Sequence, residues 1–345
     1  MMNLDFDCEH HNRISVDPRK PTCVVSIGCY NHFHLTRSLV DQLAVCLDQR
    51  YNYLVYFFDD ASEEQDTRIF FEKNIAGLPF NVRFFRYATN RKLTWTWNFT
   101  VNYGLFRDGA THFIFLNNDT TLAPGWAGRM IDFSLERKDV CAVGPLSNCV
   151  SRYGLQDIAN YLPDTTPAQW QDPASILPRL SDRAPVRIPK DDFLNGCCFL
   201  LSAKALRKHV LRRQEGFSLF FNPAYPFYYS ELDFFSRFRY PKFVLPSVFI
   251  HHAGEVSVRS YRSRYQDLYQ ADGTVHAGLL DRLMPCVWAR DRRSWLRTRQ
   301  EEKRLRDYLS DQGLDPFWNL YRQQYVGVST DARILYRQRK ALPTG

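Results

Sequence analysis

Nowhere in its 345 residues does the chain hold an uninterrupted apolar run of about 18 residues, so no membrane-spanning helix is expected. The opening residues, MMNLDFDCEHHNR, place no apolar stretch behind a basic flank, so no secretory leader is expected either. Nine cysteines are present, an odd number at irregular spacing without a CxxC pair. That pattern fits a reducing compartment better than a disulfide framework. The expected location is cytoplasmic, with peripheral membrane contact as an option. The segment SIGCYNHF lacks the GxGxxG that a dinucleotide-binding fold needs after its first strand. No RNP segment, zinc-finger spacing, Gly-rich phosphate loop or internal repeat is present.

What the chain does have is a sizeable apolar inventory and an uneven charge. It is 45% hydrophobic and 15% aromatic, enough for a large core, and its formal charge is +8. Residues 281–345 hold fourteen Lys and Arg against eight Asp and Glu, so most of the excess lies in that tail. Such a tail suits phosphate, an anionic membrane surface or nucleic acid, but its interleaved charges fit a solvated helical face better. No nucleic-acid partner is expected.

The rhythm of the chain predicts an α/β fold. Residues 1–20 read as an irregular arm in which Cys8, His10 and His11 lie close together without a second ligand pair at metal spacing. From Thr22 onward, β-branched and aromatic runs alternate with helical patterns. TCVVSIGCY is a strand and FHLTRSLVDQLAVCL a helix. YLVYFF follows as a strand, then DDAS, with Ser62 as the expected N-cap of EEQDTRIFFEKNI. NVRFFRY, TWTWNFTVNYGLF and HFIFL continue as strand, helix and strand. This order predicts a mostly parallel sheet flanked by helices. Residues 151–190, rich in Pro and Asp, read as a long loop able to serve as an active-site lid. DFLNGCCFLLS is a further strand in which Gly196 marks a bulge or a close approach by a ligand. SELDFFSRF is a helix and KFVLPSVFIHH a strand. The later residues read as basic helices.

Ligands in such sheets bind at the carboxyl ends of the strands. Tyr30 and Asn31 fall at the first such end, Asp59 and Asp60 at the second, and Asn117, Asn118 and Asp119 at the fourth. Asp119 offers a hard oxygen ligand for Mg²⁺ or Mn²⁺. Taken alone, the triplet suits a turn before Pro124-Gly125 equally well. His251 or His252 could supply a second ligand. Glu231 and Asp233, at i and i+2 of a helix, point in different directions, so one can face a cleft while the other takes a structural role. Asp233 can pair with Arg237 at i+4. A cleft carboxylate can accept a proton from an attacking hydroxyl.

Eight segments in order resemble the nucleotide-sugar glycosyltransferases of the GT-A fold, specifically the family 2 inverting enzymes and their rhamnosyltransferase-like branch. They are VVSIGCYN, Asp59-Asp60-Ala61-Ser62, the Asn102–Leu105 segment, FLNNDTTLAPGW, VGPLSN, FLNGCCFLLS, SELDFFSR and FIHHAGEVS. The resemblance spans roughly Pro21 to Ser257. It implies a catalytic domain over residues 21–257, an N-terminal arm over 1–20 and a helical basic extension over 258–345. It also implies a nucleoside-diphosphate sugar donor (UDP-, GDP- or dTDP-linked), a glycan acceptor and a Mn²⁺ or Mg²⁺ cofactor. The implied roles are Glu231 as catalytic base with Asp233 as supporting acid, and Asp119 and His251 at the metal. Tyr30, Asp60, Asn102, Asn118 and Asn195 are the implied donor-binding residues. The chain departs from the family pattern in four places, one of them a helix before the metal strand about four residues longer than usual. Asn117 stands where the metal triplet usually begins with Asp, Lys92 where a glycine is usual, and Glu231 where Asp is common. Lys92 and Arg91 are then candidates for contact with diphosphate. A non-catalytic nucleotide-sugar or carbohydrate-binding protein on the same fold is the alternative reading.

Overall fold

The computed structural model describes residues 6–137, 141–148, 155–190, 192–214, 217–222 and 230–254. The predicted basic helical extension at 258–345 lies outside the described residues, as does the start of the 151–190 segment.

The strands are β1 (Phe6–His11), β2 (Thr22–Cys29), β3 (Asn52–Asp59), β4 (Asn81–Tyr87), β5 (His112–Asn117), β6 (Thr120–Thr121), β7 (Ala142–Ser147), β8 (Val186–Ile188), β9 (Cys198–Ser202), β10 (Arg212–Gln214), β11 (Phe217–Leu219) and β12 (Lys242–His252). The helices are α1 (Phe33–Cys46), α2 (Asp66–Asn74), α3 (Lys92–Phe106), α4 (Trp126–Glu136), α5 (Pro167–Trp170), α6 (Pro173–Ile176), α7 (Ala203–Lys208) and α8 (Ser230–Arg237). Strands β4, β3, β2 and β5 run parallel to one another, as the alternation of patterns predicts. β9 then enters antiparallel between β5 and β7, and β12 runs parallel to β7. Together with β1, β6 and β8 they form one ten-stranded sheet; β10 and β11 pair separately.

Both faces of the central strands are covered. All eight residues of β3 are buried, which is why its sequence reads as a continuous apolar run rather than an alternation. On one face α1, α2 and α4 bury Leu39, Leu43, Phe71, Trp126 and Met130 against Val25, Val55, Phe57 and Ile114. On the other, Trp97 of α3 packs on Phe115 and Phe199, which stack on each other with ring centroids 4.8 Å apart. Phe221 and Phe234 extend that cluster, and Phe235 meets Phe199 at 5.5 Å. The aromatic layer thereby seats α8 on the sheet.

Three expectations need correction. Residues 6–11 are not an irregular arm but an edge strand, antiparallel to β4. Ser62 does not cap α2, which starts at Asp66; its hydroxyl instead accepts from the backbone N–H of Asn31 at 2.8 Å. The 155–190 part of the supposed lid is packed: Ile158, Leu162, Ile176 and Leu180 are buried, and β8 pairs with β12. Its Pro and Asp residues start short helices. Pro167 and Pro173 each stand in a first turn; Thr166 forms a capping box with Gln169, and Asp172 accepts from the Ala174 N–H.

Gly104 explains one glycine of the 102–105 segment. A β-carbon there would lie 2.6 Å from Phe113 Cε1 and 3.2 Å from Val24 Cγ2, so α3 sits on the sheet at a distance only glycine permits. Gly104→Ala is expected to destabilise the fold. Overpacking costs about 1–3 kcal/mol, which exceeds the gain of about 1 kcal/mol in helix propensity. A lowered midpoint in urea unfolding is the expected readout; an unchanged or raised midpoint would contradict the tight approach.

Candidate active site

The carboxyl ends of β2, β3, β4 and β5 gather on one edge of the sheet, and the backbone there is under strain. Four non-glycine residues have positive φ: Asn31 (51°), His32 (52°), Ala61 (58°) and Lys92 (70°). All four follow the carboxyl ends of β2, β3 or β4. Such conformations persist where surrounding structure holds them, and they concentrate at functional sites.

Hydrogen bonds hold this edge together. Asp59 is fully buried and pairs with Arg86, whose guanidinium also donates to the Ser62 carbonyl at 2.9 Å. Asp59 Oδ1 accepts the Ser62 N–H at 2.8 Å, and Asn31 Oδ1 accepts the Glu63 N–H at 2.9 Å. Asp60, 7% exposed, accepts the backbone N–H groups of Arg91 at 2.5 Å and Lys92 at 2.9 Å. Burial pushes its carboxyl up to about 6, although those N–H groups and the Lys92 charge oppose the shift. Lys92 is buried beside it, and that burial lowers its ammonium to about 8. Lys92 thus answers the Asp60 carboxylate at the point where the family pattern has a glycine. Tyr30 is half-buried and its hydroxyl donates to Glu63 at 3.3 Å.

Asp119 stands at the end of β5, 8% exposed. The pairing of β6 with the end of β12 sets His252 opposite Thr120 and His251 opposite Thr121. Because neighbouring strand residues point to opposite faces, only one histidine can turn toward Asp119. That one is His252: its Nε2 lies 3.0 Å from Asp119 Oδ1 and 3.2 Å from the Asn117 amide nitrogen. His252, and not His251, is therefore the histidine in contact with Asp119. Asn148, just after β7, clamps His252 by accepting its N–H at 2.8 Å and donating to its carbonyl at 3.0 Å.

Glu231 reaches the same edge from α8. A β-carbon built on Gly196 would meet the Glu231 carboxyl carbon at 3.0 Å and its two oxygens at 3.2 and 3.3 Å. The group that comes close to Gly196 is thus the Glu231 side chain, where the sequence pointed to a bulge or a ligand. The Asn195 side chain accepts the Cys197 N–H at 2.8 Å and shapes this turn. The Asn117 N–H donates to the Cys197 carbonyl at 2.9 Å, so the turn lies directly beside the Asn117–Asp119 segment. Burial raises the Glu231 carboxyl to about 7, into the range where a carboxylate can take and release a proton near neutrality.

Other expected site residues are engaged elsewhere. Asp233 Oδ2 accepts from Arg237 Nε at 3.1 Å and Nη2 at 2.9 Å, and Arg237 also donates to the Phe220 carbonyl. At two residues from Glu231 on a helix it faces away, and it anchors α8 rather than standing beside Glu231. Asn102 exchanges two 2.7 Å hydrogen bonds with the backbone of Ser218 in β11. Asn98, one turn earlier, does the same for Phe220 and Phe221. The Asn118 side chain donates to Thr36 of α1 at 3.3 Å. Asn102 thus ties α3 to β11, and Asn118 ties the end of β5 to α1. Sequence reading missed Lys92 beside Asp60, Asn148 behind His252 and Asn98; the last was signalled by its i,i+4 spacing from Asn102.

A scan against protein-family profiles matches none, and a search of curated proteins finds no match. Among solved structures, "Crystal structure of GalNAc-T7 with UDP, GalNAc and Mn2+" aligns at 13% identity and a TM-score of 0.46, over 68% of this chain and 44% of that one. "Crystal structure of S. aureus TarS" aligns at 11% identity and 0.44, over 70% and 38%. "Crystal structure of S. aureus TarS 1-349" aligns at 12% identity and 0.46, over 92% and 91%. The chain spans less than half the length of the first two.

Two outcomes are expected from the strained and buried groups. Ala61→Gly relieves a positive φ and should stabilise the protein by about 1 kcal/mol in urea unfolding. The raised carboxyls of Glu231 and Asp60 are protonated more readily in the folded chain than in the unfolded one. Their contribution to stability is therefore full below their ordinary carboxyl range and is lost as pH rises through about 6 to about 7. Unfolding at about pH 5 and about pH 8 should show this loss, and Glu231→Gln should shrink it. An equal pH dependence in wild type and variant would remove Glu231 from the account.

Proposed function

We propose that the chain is an inverting glycosyltransferase of the GT-A type, in the family 2 branch that its eight ordered segments resemble. The observation that carries this reading is the placement of the Glu231 carboxylate on Gly196, one hydrogen bond away from the strand end that bears Asp119. A base and a charged strand end at one edge suit attack on a nucleoside-diphosphate sugar.

In this reading Asp60 receives the nucleobase of the donor, with Tyr30 nearby, and the Lys92 ammonium keeps that carboxylate charged. The acceptor hydroxyl attacks the anomeric carbon. Glu231 takes its proton as the new C–O bond forms, and the bond to the diphosphate oxygen breaks. The single displacement inverts the anomeric centre. Gly196 matters because any side chain there would displace the base.

Asp119 and His252 would hold a divalent cation, with Asn117 supplying its amide oxygen after rotation of the amide. An oxygen and imidazole set fits Mn²⁺ better than Mg²⁺, which favours all-oxygen surroundings. When bound, such a cation supplies positive charge to the leaving diphosphate. The neutral Asn117 makes the site weaker than one with two carboxylates. The sugar expected is a hexose, deoxyhexose or pentose, and the acceptor a glycan or glycoconjugate. Among the described residues no helix is long and apolar enough to cross a membrane. Peripheral contact through the basic residues 281–345 remains part of the proposal.

Thermal unfolding with UDP-, GDP- and dTDP-sugars, with and without Mn²⁺, tests donor binding. A donor at 100 times its dissociation constant should add about 2.7 kcal/mol, and the absence of a shift with every donor would sink the reading. In transfer assays Glu231→Gln should lower turnover by about 10²–10⁴-fold while donor binding persists. Asp119→Ala should lose the Mn²⁺-dependent part of donor binding. Near-normal turnover by Glu231→Gln would show that the base lies elsewhere.

A further inference from the structure

At the far edge of the sheet β1 carries a second cluster that the proposed reaction does not use. Its register on β4 shifts between Phe6 and Cys8, where Phe6 faces Tyr87 and Cys8 faces Arg86. The extra residue, Asp7, is a β-bulge, and its effect is to exchange the faces of the strand. Phe6 packs on Phe85, Tyr87 and Phe99 on the α3 side. After the bulge Glu9 remains on that side, accepting from the Tyr103 hydroxyl at 2.9 Å. Cys8 and His10 turn to the opposite side, where His10 stacks on Phe84 and α2 presents Glu72.

We propose that Cys8, His10 and Glu72 form a binding site for a borderline transition-metal cation of the Zn²⁺ class. One thiol sulfur, one imidazole nitrogen and one carboxylate oxygen from these residues lie within 4.8 Å of one another. His10 Nε2 is buried without a hydrogen bond, and Glu72 Oε1 is 3.8 Å from it. Tetrahedral Zn²⁺ with bonds of about 2.0–2.3 Å separates its ligands by about 3.3–3.7 Å. A contraction of about 1 Å therefore closes the set. The sulfur and imidazole select a Zn²⁺-like ion over Mg²⁺.

The surrounding charges are compatible with such an ion. Arg68 donates to Glu72 Oε1 at 2.7 Å and orients that carboxylate, a typical arrangement behind a metal ligand. Its positive charge is offset by Asp7, which pairs with both Arg68 at 3.3 Å and Arg86 at 3.2 Å. His11 is exposed and engaged with the Asn12 carbonyl, so it adds no ligand. Three protein ligands leave a fourth position for water. The consequence is mechanical: the ion fastens an edge strand, hydrogen-bonded to the sheet on one side only, to the helix that follows β3.

Cobalt substitution of the full-length chain tests this. Co²⁺ added to chelator-treated protein should give a thiolate-to-cobalt charge-transfer band that saturates at one equivalent and is abolished by Zn²⁺. The proposed cation pair Asp119 and His252 supplies no thiolate, so a thiolate band that Cys8→Ser removes reports on this cluster and not on the proposed transfer site. Cys8→Ser should lose the band and Glu72→Gln should weaken Co²⁺ binding, both with unchanged far-ultraviolet circular dichroism. If Cys8→Ser fails to fold, Glu72→Gln, altered at an exposed position, decides alone. No thiolate band, a band kept in Cys8→Ser, or undiminished binding by Glu72→Gln would overturn the assignment.

Discussion

The antiparallel pairing of β9 against β5, closed by the bond from the Asn117 N–H to the Cys197 carbonyl, is the contact on which the site depends. β5 brings Asn117 to Asp119 to the carboxyl edge. β9 runs the other way, so its beginning meets the end of β5, and the turn at Asn195 and Gly196 falls beside the acidic triplet. A parallel β9 would put that turn at the opposite edge of the sheet. Everything on α8 is then positioned from this point: Glu231 rests on Gly196 while Phe234 and Phe235 hold the helix on the aromatic layer.

The same edge concentrates costs that the rest of the fold offsets. Residues in the left-handed region, a buried Asp60 answered by a buried Lys92, and a Glu231 whose carboxyl is raised to about 7 are each unfavourable in isolation. They persist because each is over-determined by neighbours: the network of Asn31, Asp59, Ser62 and Arg86 fixes the first two turns, and the aromatic layer fixes α8. Gly104 and Gly196 serve this arrangement in different ways. One lets a helix approach the sheet; the other leaves room for a carboxylate.

Much of the fold was legible in the sequence because it rests on local pattern. The apolar runs at 22–29, 52–59 and 112–117 and the helical repeats between them read correctly, since burial on both faces of a parallel sheet leaves continuous apolar strands. The edge strand β1 did not read, because its alternate residues are polar and its partner, β4, is some 70 residues away. The packed segment after residue 155 was taken for a loop, since its short helices are signalled by caps and prolines rather than by periodicity. Asn102 illustrates the limit for site residues: a polar residue in a resembled motif can bond the backbone of another strand, and only its partners reveal this.

The sequence by itself determined the alternation of strands and helices, the carboxyl-edge location of Asp60 and Asp119, and the presence of two acids on one helix. These follow from periodicity and from the rule that parallel strands present their ends together. The tertiary structure decided which acid and which histidine face that edge. Glu231 and Asp233, like His251 and His252, are near neighbours in sequence with equivalent chemistry. Their difference is one of direction, set by Arg237 on the helix and by the β6–β12 pairing at the strand. For the histidines that direction depends on a pairing between strands more than a hundred residues apart, which no local pattern carries, whereas for the acids the i,i+4 spacing of Asp233 and Arg237 already pointed to it.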